Sequence, residues 1–112
     1  MLTTTRLTPD LSVAPQLDAS TMADAAASGF KSVINNRPDF EGGPGQPTNA
    51  SIEAAARASG LAYEFLPVNP AVQTAEEVAR FGELLESLPK PVLAFCRTGT
   101  RSTKLFTAMG RG

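Results

Sequence analysis

VLAFCRTGTRS, residues 92–102, joins four apolar residues directly to a polar loop that contains a glycine. Short strands without polar residues usually lie inside parallel sheets, where helices cover both faces. We therefore predict a buried strand over residues 92–95, a loop over residues 96–101 and a final helix over residues 102–109. Ligands of open α/β sheets bind beyond the carboxyl ends of the strands, so this loop is the first candidate for chemistry.

On the N-terminal side of this stretch, patterns typical of strands alternate with patterns typical of helices. Further strands are predicted over residues 11–14, 30–34 and 61–68. Helices are predicted over residues 19–28, 50–59 and 75–88, each after a capping residue and before a glycine or proline. This order predicts an α/β fold, a three-layer sandwich with a central, mainly parallel sheet of four or five strands.

The composition of the chain argues against several classes of protein and of catalytic site. The 112 residues suit a single domain over residues 1–112, and the net charge of -1 gives no strong attraction to nucleic acid or an anionic membrane. A lone cysteine forms no internal disulfide, so we predict a cytoplasmic protein. The chain has no histidine, which excludes Ser-His-Asp and Cys-His catalysis and leaves too few ligands for zinc. We therefore predict no metal and no cofactor.

Cys96 is the candidate nucleophile. The helix after it offers unpaired N–H groups and a positive dipole end, and Gly99 permits the positive φ that turns successive amides inward. Arg101 adds a planar fork of donors that matches an oxyanion. Donors that converge on the sulfur stabilise the thiolate and hold an anionic substrate against it. A buried cysteine of purely structural type needs no such polar loop after it.

The remaining residues of the loop are candidate substrate ligands, and several have an alternative interpretation. Arg97 either contacts the ligand or is a solvated loop arginine. Thr98, Gly99 and Thr100 are expected to supply amides to the anion, with the threonine side chains incidental. Ser102 either caps the last helix or hydrogen-bonds the sulfur.

The residues after the strand at 92–95 resemble the active loop of rhodanese sulfurtransferases. The rest of the chain resembles the phosphatase-like domain of beta-lactamase hydrolase-like proteins, a branch of the dual-specificity phosphatase fold. The matching stretches follow one another along nearly the whole chain and are residues 13–16, 29–39, 45–47 and 91–102. The resemblance implies a protein-tyrosine-phosphatase-like fold and an enzyme that is a phosphatase or a sulfurtransferase.

Two departures from the dual-specificity pattern favour sulfur transfer. Four residues separate Cys96 from Arg101 where those phosphatases have five, and residues 69–73 contain no acid to protonate a leaving oxygen. Missing proton transfer is worth roughly 10²–10⁴-fold in rate, whereas sulfite leaves thiosulfate without a proton. We therefore predict a rhodanese-like sulfurtransferase that forms a persulfide on Cys96 from thiosulfate or a small persulfide. A cysteine-dependent phosphatase with a thiophosphoryl intermediate and a non-catalytic anion-binding module are the alternatives.

Auxiliary residues are expected in the loop after the strand at 30–34. Asp39 and Glu41 are candidate substitute acids, although the favoured interpretation is that Asp39 caps or turns the loop and Glu41 is solvated. Arg37 either reaches the pocket or pairs with Asp39. The family resemblance also suggests a place in sulfide metabolism and a persulfide-oxidising metalloenzyme as a partner.

Overall fold

The structure, a computed structural model, describes residues 2–111. Its single sheet contains five strands, which are β1 (Thr5–Thr8), β2 (Leu11–Ala14), β3 (Ser32–Asn35), β4 (Ala62–Phe65) and β5 (Val92–Phe95). Their spatial order is β1-β2-β5-β3-β4, and β1 is antiparallel to β2 while all other neighbours are parallel. The predicted α/β class with a mainly parallel sheet is therefore confirmed.

Four α-helices cover the sheet, and they are α1 (Ala19–Ala27), α2 (Asn49–Ala58), α3 (Ala75–Ser87) and α4 (Thr100–Phe106). A π-helical segment, Thr107–Arg111, follows α4. The helix pairs α1–α2 and α3–α4 contact each other and pack on opposite faces of the sheet, which gives the predicted three layers. Within residues 2–111, none of the helices has both the length and the apolar character that crossing a bilayer requires.

Each face of the sheet has its own apolar core. Met22 of α1 and Ile52 of α2 belong to one cluster, and Phe81 of α3 and Leu105 of α4 belong to the other. The residues of β5 alternate between the two clusters, because successive side chains of a strand point to opposite faces. A fully apolar strand is thus required at the centre of this sheet, which is why residues 92–95 predicted the architecture.

Side-chain caps begin the first three helices at the residues that the sequence indicates. Asp18 and Thr48 accept hydrogen bonds from backbone N–H groups in the first turns of α1 and α2. Thr74 and Glu77 form a reciprocal capping box at the start of α3. These caps satisfy N–H groups that have no partner inside the helix.

One strand was missed, and several predicted boundaries were wrong. Strands β3 and β4 are Ser32–Asn35 and Ala62–Phe65, where strands over 30–34 and 61–68 were predicted. Strand β1 was not predicted, because its four residues form an edge strand that depends on antiparallel pairing with β2. The last helix begins at Thr100, two residues earlier than predicted, because Gly99 has φ 90° and already acts as its N-cap. Arg101 and Ser102 therefore lie in the first turn of α4 and not in the preceding loop.

Phe81 provides a test of the core on the α3–α4 face. Its side chain is 0% exposed, so Phe81→Ala should lower the free energy of unfolding by about 3–5 kcal/mol. Phe40 is 65% exposed, and Phe40→Ala, which removes the same atoms, should change it by less than about 0.5 kcal/mol. Urea unfolding followed by circular dichroism measures both values, and equal losses would contradict this assignment of the core.

Candidate active site

The carboxyl ends of the parallel strands meet at one edge of the sheet, and Cys96 follows β5 directly at this edge. Backbone hydrogen bonds fix the residues around it. The N–H of Gln16, after β2, donates to the carbonyl oxygen of Arg97 at 3.2 Å, and the N–H of Asn36, after β3, donates to that of Phe95 at 2.8 Å. The loop after β5 is therefore held from both neighbouring strands.

The sulfur of Cys96 accepts a hydrogen bond from the backbone N–H of Gly99 at 3.1 Å. The left-handed φ of 90° at Gly99 turns this amide back toward the sulfur, a conformation in which a residue with a Cβ is strained. The N–H of Gly99 is thus directed at the sulfur within hydrogen-bond range. This arrangement is the inward-facing amide that the glycine predicted.

Although Cys96 is 1% exposed, it lines a cavity of about 270 Å³, which we call the cysteine cavity. The cavity is lined by residues 68–71, Gln73, residues 96–98, Thr100, Arg101 and Lys104. Residues 69–71 and Gln73, from the segment after β4, thus line the same cavity as the loop after β5. Every charged side chain in this lining, within the described part of the chain, is basic.

Arg101 points into the protein and is only 9% exposed. Its Nη1 donates to the carbonyl oxygens of Asn36 at 3.4 Å and Val68 at 3.0 Å, and its Nη2 donates to Oε1 of Glu41 at 2.9 Å. A guanidinium has five N–H donors, so the Nε donor and one Nη2 donor remain. The Nε atom is buried, and no atom of residues 2–111 accepts its hydrogen bond. Buried donors need an acceptor, and here a bound oxyanion is well suited to supply it.

Glu41 bridges two arginines. Its Oε1 accepts hydrogen bonds from Nε of Arg37 and Nη2 of Arg101, both at 2.9 Å, and its side chain is 19% exposed. Burial raises the pKa of Glu41, but the hydrogen bonds and positive charges of Arg101 and Arg37 outweigh it and hold the pKa below its usual 4.5. The expectation of a solvated Glu41 was wrong. A carboxylate that is ionised and accepts hydrogen bonds from two arginines has no proton to donate as an acid.

The two alternatives for Arg37 and Asp39 are also decided by these contacts. Arg37 takes neither of its two predicted roles, because it is not in the lining of the cysteine cavity and it pairs with Glu41 and not with Asp39. Its Nη1 donates to Oε1 of Gln16 at 3.1 Å. Asp39 accepts a hydrogen bond from the N–H of Asn49 at 2.7 Å, at the start of α2. Asp39 therefore caps the start of α2, in agreement with the favoured interpretation, and it is not in the lining of the cysteine cavity.

Ser102 takes neither of its two predicted roles. Its hydroxyl donates to Oδ1 of Asn36 at 2.8 Å, so it neither caps α4 nor bonds to the sulfur. Asn36 is fully buried, and its amide also donates to the carbonyl oxygen of Leu66 at 3.0 Å. Asn36 therefore joins α4 to β3 and β4, a role that the sequence analysis missed.

The threonines of the loop bond to each other, and Arg97 is left without a side-chain partner. The hydroxyl of Thr98 accepts a hydrogen bond from the N–H of Thr100 at 3.4 Å and donates to its hydroxyl at 3.1 Å. The amide of Thr100 is therefore engaged with Thr98, which was not expected. Arg97 is exposed, and within residues 2–111 its side chain forms no hydrogen bond or ion pair.

Comparison with known families gives a match over nearly the whole chain. The model of the beta-lactamase hydrolase-like protein, phosphatase-like domain, matches residues 4–111. The curated beta-lactamase hydrolase-like protein of Agrobacterium fabrum (strain C58) is 38% identical over 101 residues, which cover 90% of this chain and 23% of that protein. The chain thus spans less than a quarter of the length of the curated relatives that it matches.

Solved structures have the same fold. A "putative phosphatase" from Neisseria meningitidis Z2491 is 34% identical with a TM-score of 0.84, over 91% of this chain and 72% of that chain. P. aeruginosa TpbA in complex with pTyr is 22% identical with a TM-score of 0.64, over 98% of this chain and 62% of that chain. The predicted fold and the resemblance to the phosphatase-like domain family are confirmed, whereas the rhodanese-like character of the loop stays a prediction. The family match and the Neisseria structure favour the phosphatase alternative over the sulfurtransferase.

Glu41→Gln tests the bridge between Arg37 and Arg101. The variant keeps an acceptor but leaves both cations without a carboxylate, so we expect a loss of about 1–3 kcal/mol in the free energy of unfolding at neutral pH. A carboxylate whose pKa is lowered by folding stabilises the protein above its unfolded pKa, and this contribution is lost as the pH falls through its folded pKa. The difference between wild type and variant should therefore shrink below pH 4.5.

The control for this variant is Glu53→Gln. Glu53 pairs with Arg57 on the exposed surface of α2, so this change should cost less than about 1 kcal/mol. Denaturant unfolding at several pH values measures both variants. A Glu41→Gln loss that is no larger than the Glu53→Gln loss, or that does not change with pH, would contradict the bridge.

Proposed function

Because the chain belongs to the phosphatase-like domain family of the beta-lactamase hydrolase-like proteins, we propose that it is a cysteine-dependent phosphatase acting on small phosphomonoesters. The observation that carries this proposal is that Arg101, which lines the cavity that holds Cys96, has an Nε donor without an acceptor among residues 2–111. Two parallel N–H groups of a guanidinium match two oxygens of a phosphate. The nucleophile and the anion-binding group therefore share one small cavity.

The reaction proceeds in two displacements. The thiolate of Cys96, stabilised by the N–H of Gly99, attacks phosphorus, a sulfur–phosphorus bond forms, and the bond to the leaving oxygen breaks with its electron pair. A water molecule then attacks phosphorus through its oxygen and loses a proton to solvent, while the sulfur–phosphorus bond breaks with its electron pair on sulfur. This step releases phosphate and restores the thiolate. Arg101 stabilises the charge on the non-bridging oxygens in both steps.

The cysteine cavity places a limit on the leaving group. Among the described residues, its charged lining consists of Arg97, Arg101 and Lys104, and Glu41 and Asp39 are engaged elsewhere. The leaving oxygen therefore departs without a proton from these side chains. The proposed substrates are accordingly esters with weakly basic leaving groups, of which aryl phosphates are the simplest.

Sulfur transfer is the second candidate, and the loop length favours it. Four residues separate Cys96 from Arg101, and the charged side chains that line the cavity are cationic. The thiolate is therefore also suited to attack the outer sulfur of thiosulfate. A sulfur–sulfur bond then forms on Cys96, sulfite leaves with its electron pair, and a thiol later accepts the sulfur. If the protein is a sulfurtransferase, we propose that it acts in sulfide metabolism with a metalloenzyme as its partner. We place it in the cytoplasm, where the thiol stays reduced.

One assay compares the two reactions. The wild-type protein should release p-nitrophenol from p-nitrophenyl phosphate, and Cys96→Ser should reduce this to background. Arg101→Lys keeps the charge but loses the planar fork, so kcat/KM should fall by about 10²-fold or more. Hydrolysis that persists in Cys96→Ser would overturn the proposal. No hydrolysis, together with one sulfur atom added to Cys96 by thiosulfate in mass spectrometry, would select sulfur transfer instead.

Leaving-group dependence tests the missing proton donor. Across a series of phosphate esters, log kcat/KM should fall steeply as the leaving group becomes more basic, with at least about 10²-fold between p-nitrophenyl and alkyl phosphates. The reason is that negative charge builds up fully on the leaving oxygen. A flat dependence in steady-state kinetics would show that a side chain donates a proton.

A further inference from the structure

A second cavity adjoins the cysteine cavity. It has a volume of about 370 Å³, and we call it the side cavity. Its lining consists of Arg37, Glu41, Gly42, Pro70, Arg97 and Arg101. Pro70, Arg97 and Arg101 line both cavities, so the two cavities lie next to each other.

Positive charge is concentrated around this pair of cavities. The two linings contain four cationic side chains and a single carboxylate, although the whole chain has a net charge of -1. A cleft whose walls carry one sign of charge focuses its field on ligands of the opposite sign. This concentration of charge indicates a ligand with more than one negative charge.

The cations differ in what they already bind. Arg37 and Arg101 share the carboxylate of Glu41, and Arg101 supplies the two donors assigned to the reacting phosphate. Arg97 stands at the junction of the cavities, exposed and without a side-chain partner in the described part of the chain. The hydrogen bond from the N–H of Gln16 holds the backbone of Arg97 in place, so its side chain starts from a fixed position.

We propose that the side cavity binds a second anionic group of the substrate, and that Arg97 is the residue that binds it. The substrate class is then a small phosphomonoester that carries a further phosphate, phosphonate or carboxylate on the same molecule. The compact volume of the side cavity favours this over an extended polymer. This inference rests on the proposed function, because the reacting phosphate occupies the cysteine cavity.

Binding of non-hydrolysable phosphonates tests the proposal. Isothermal calorimetry at one fixed ionic strength compares methylphosphonate with alkane-α,ω-bisphosphonates of two to four methylene groups. At least one bisphosphonate should bind about tenfold or more tightly than methylphosphonate, with a clear optimum of length. In Arg97→Ala, the ratio of the two Kd values should fall to near one.

The matched control is Arg6→Ala, which removes the same charge from β1, away from both cavities, and should keep the wild-type ratio. The inference would be overturned by no measurable binding, or by a wild-type ratio near one at every length. It would also be overturned by an unchanged ratio in Arg97→Ala or by an equal loss in Arg6→Ala. Because these ligands are not turned over, a preserved ratio without phosphate ester hydrolysis would reject the proposed phosphatase activity and leave the second binding site standing.

Discussion

One carboxylate oxygen, Oε1 of Glu41, organises this end of the molecule by accepting hydrogen bonds from Arg37 and Arg101 at 2.9 Å each. Removing a guanidinium from water is costly unless charge and hydrogen bonds compensate it. Glu41 and two backbone carbonyl oxygens provide that compensation for Arg101 and leave Nε unpaired. The contact thus allows a buried arginine to exist beside Cys96 with donors still available.

The charge balance of this bridge suits anion binding. Two arginines share one carboxylate, so a positive charge remains after the internal pairing. An incoming oxyanion does not need to displace Glu41, because the donors available to it are other N–H groups of Arg101. The Gly99 amide meanwhile holds the sulfur at the same site, so nucleophile and anion are placed by separate hydrogen bonds. Arg97 adds a further, uncommitted cation at the rim.

Structural features that are determined by residues close together in the sequence could be predicted. The apolar strand at 92–95, the helix caps and the glycine turn all follow from local patterns, and they sufficed to place Cys96 beyond a buried parallel strand.

The partners of the polar residues could not be predicted in this way. Glu41 lies 60 residues from Arg101, and Asn36 lies 66 residues from Ser102, so only the packed sheet shows that they meet. A polar Asn-Asn-Arg run directly after a buried strand was the one available signal, because buried polar groups need partners. The missing acid concerns the leaving group and the loop length concerns the size of the anion site. Neither identifies the family, which is why they favoured a reaction that the family comparison does not.

The central claim is that Arg101 and Cys96 bind one oxyanion between them. A crystal structure with tungstate, an unreactive analogue of phosphate, tests this most directly. We expect the oxyanion to lie in the cysteine cavity, with its oxygens accepting hydrogen bonds from Nε and Nη2 of Arg101 while Glu41 stays bonded to the same guanidinium. Tungstate bound elsewhere on the protein, with Nε of Arg101 still unpaired, would contradict it.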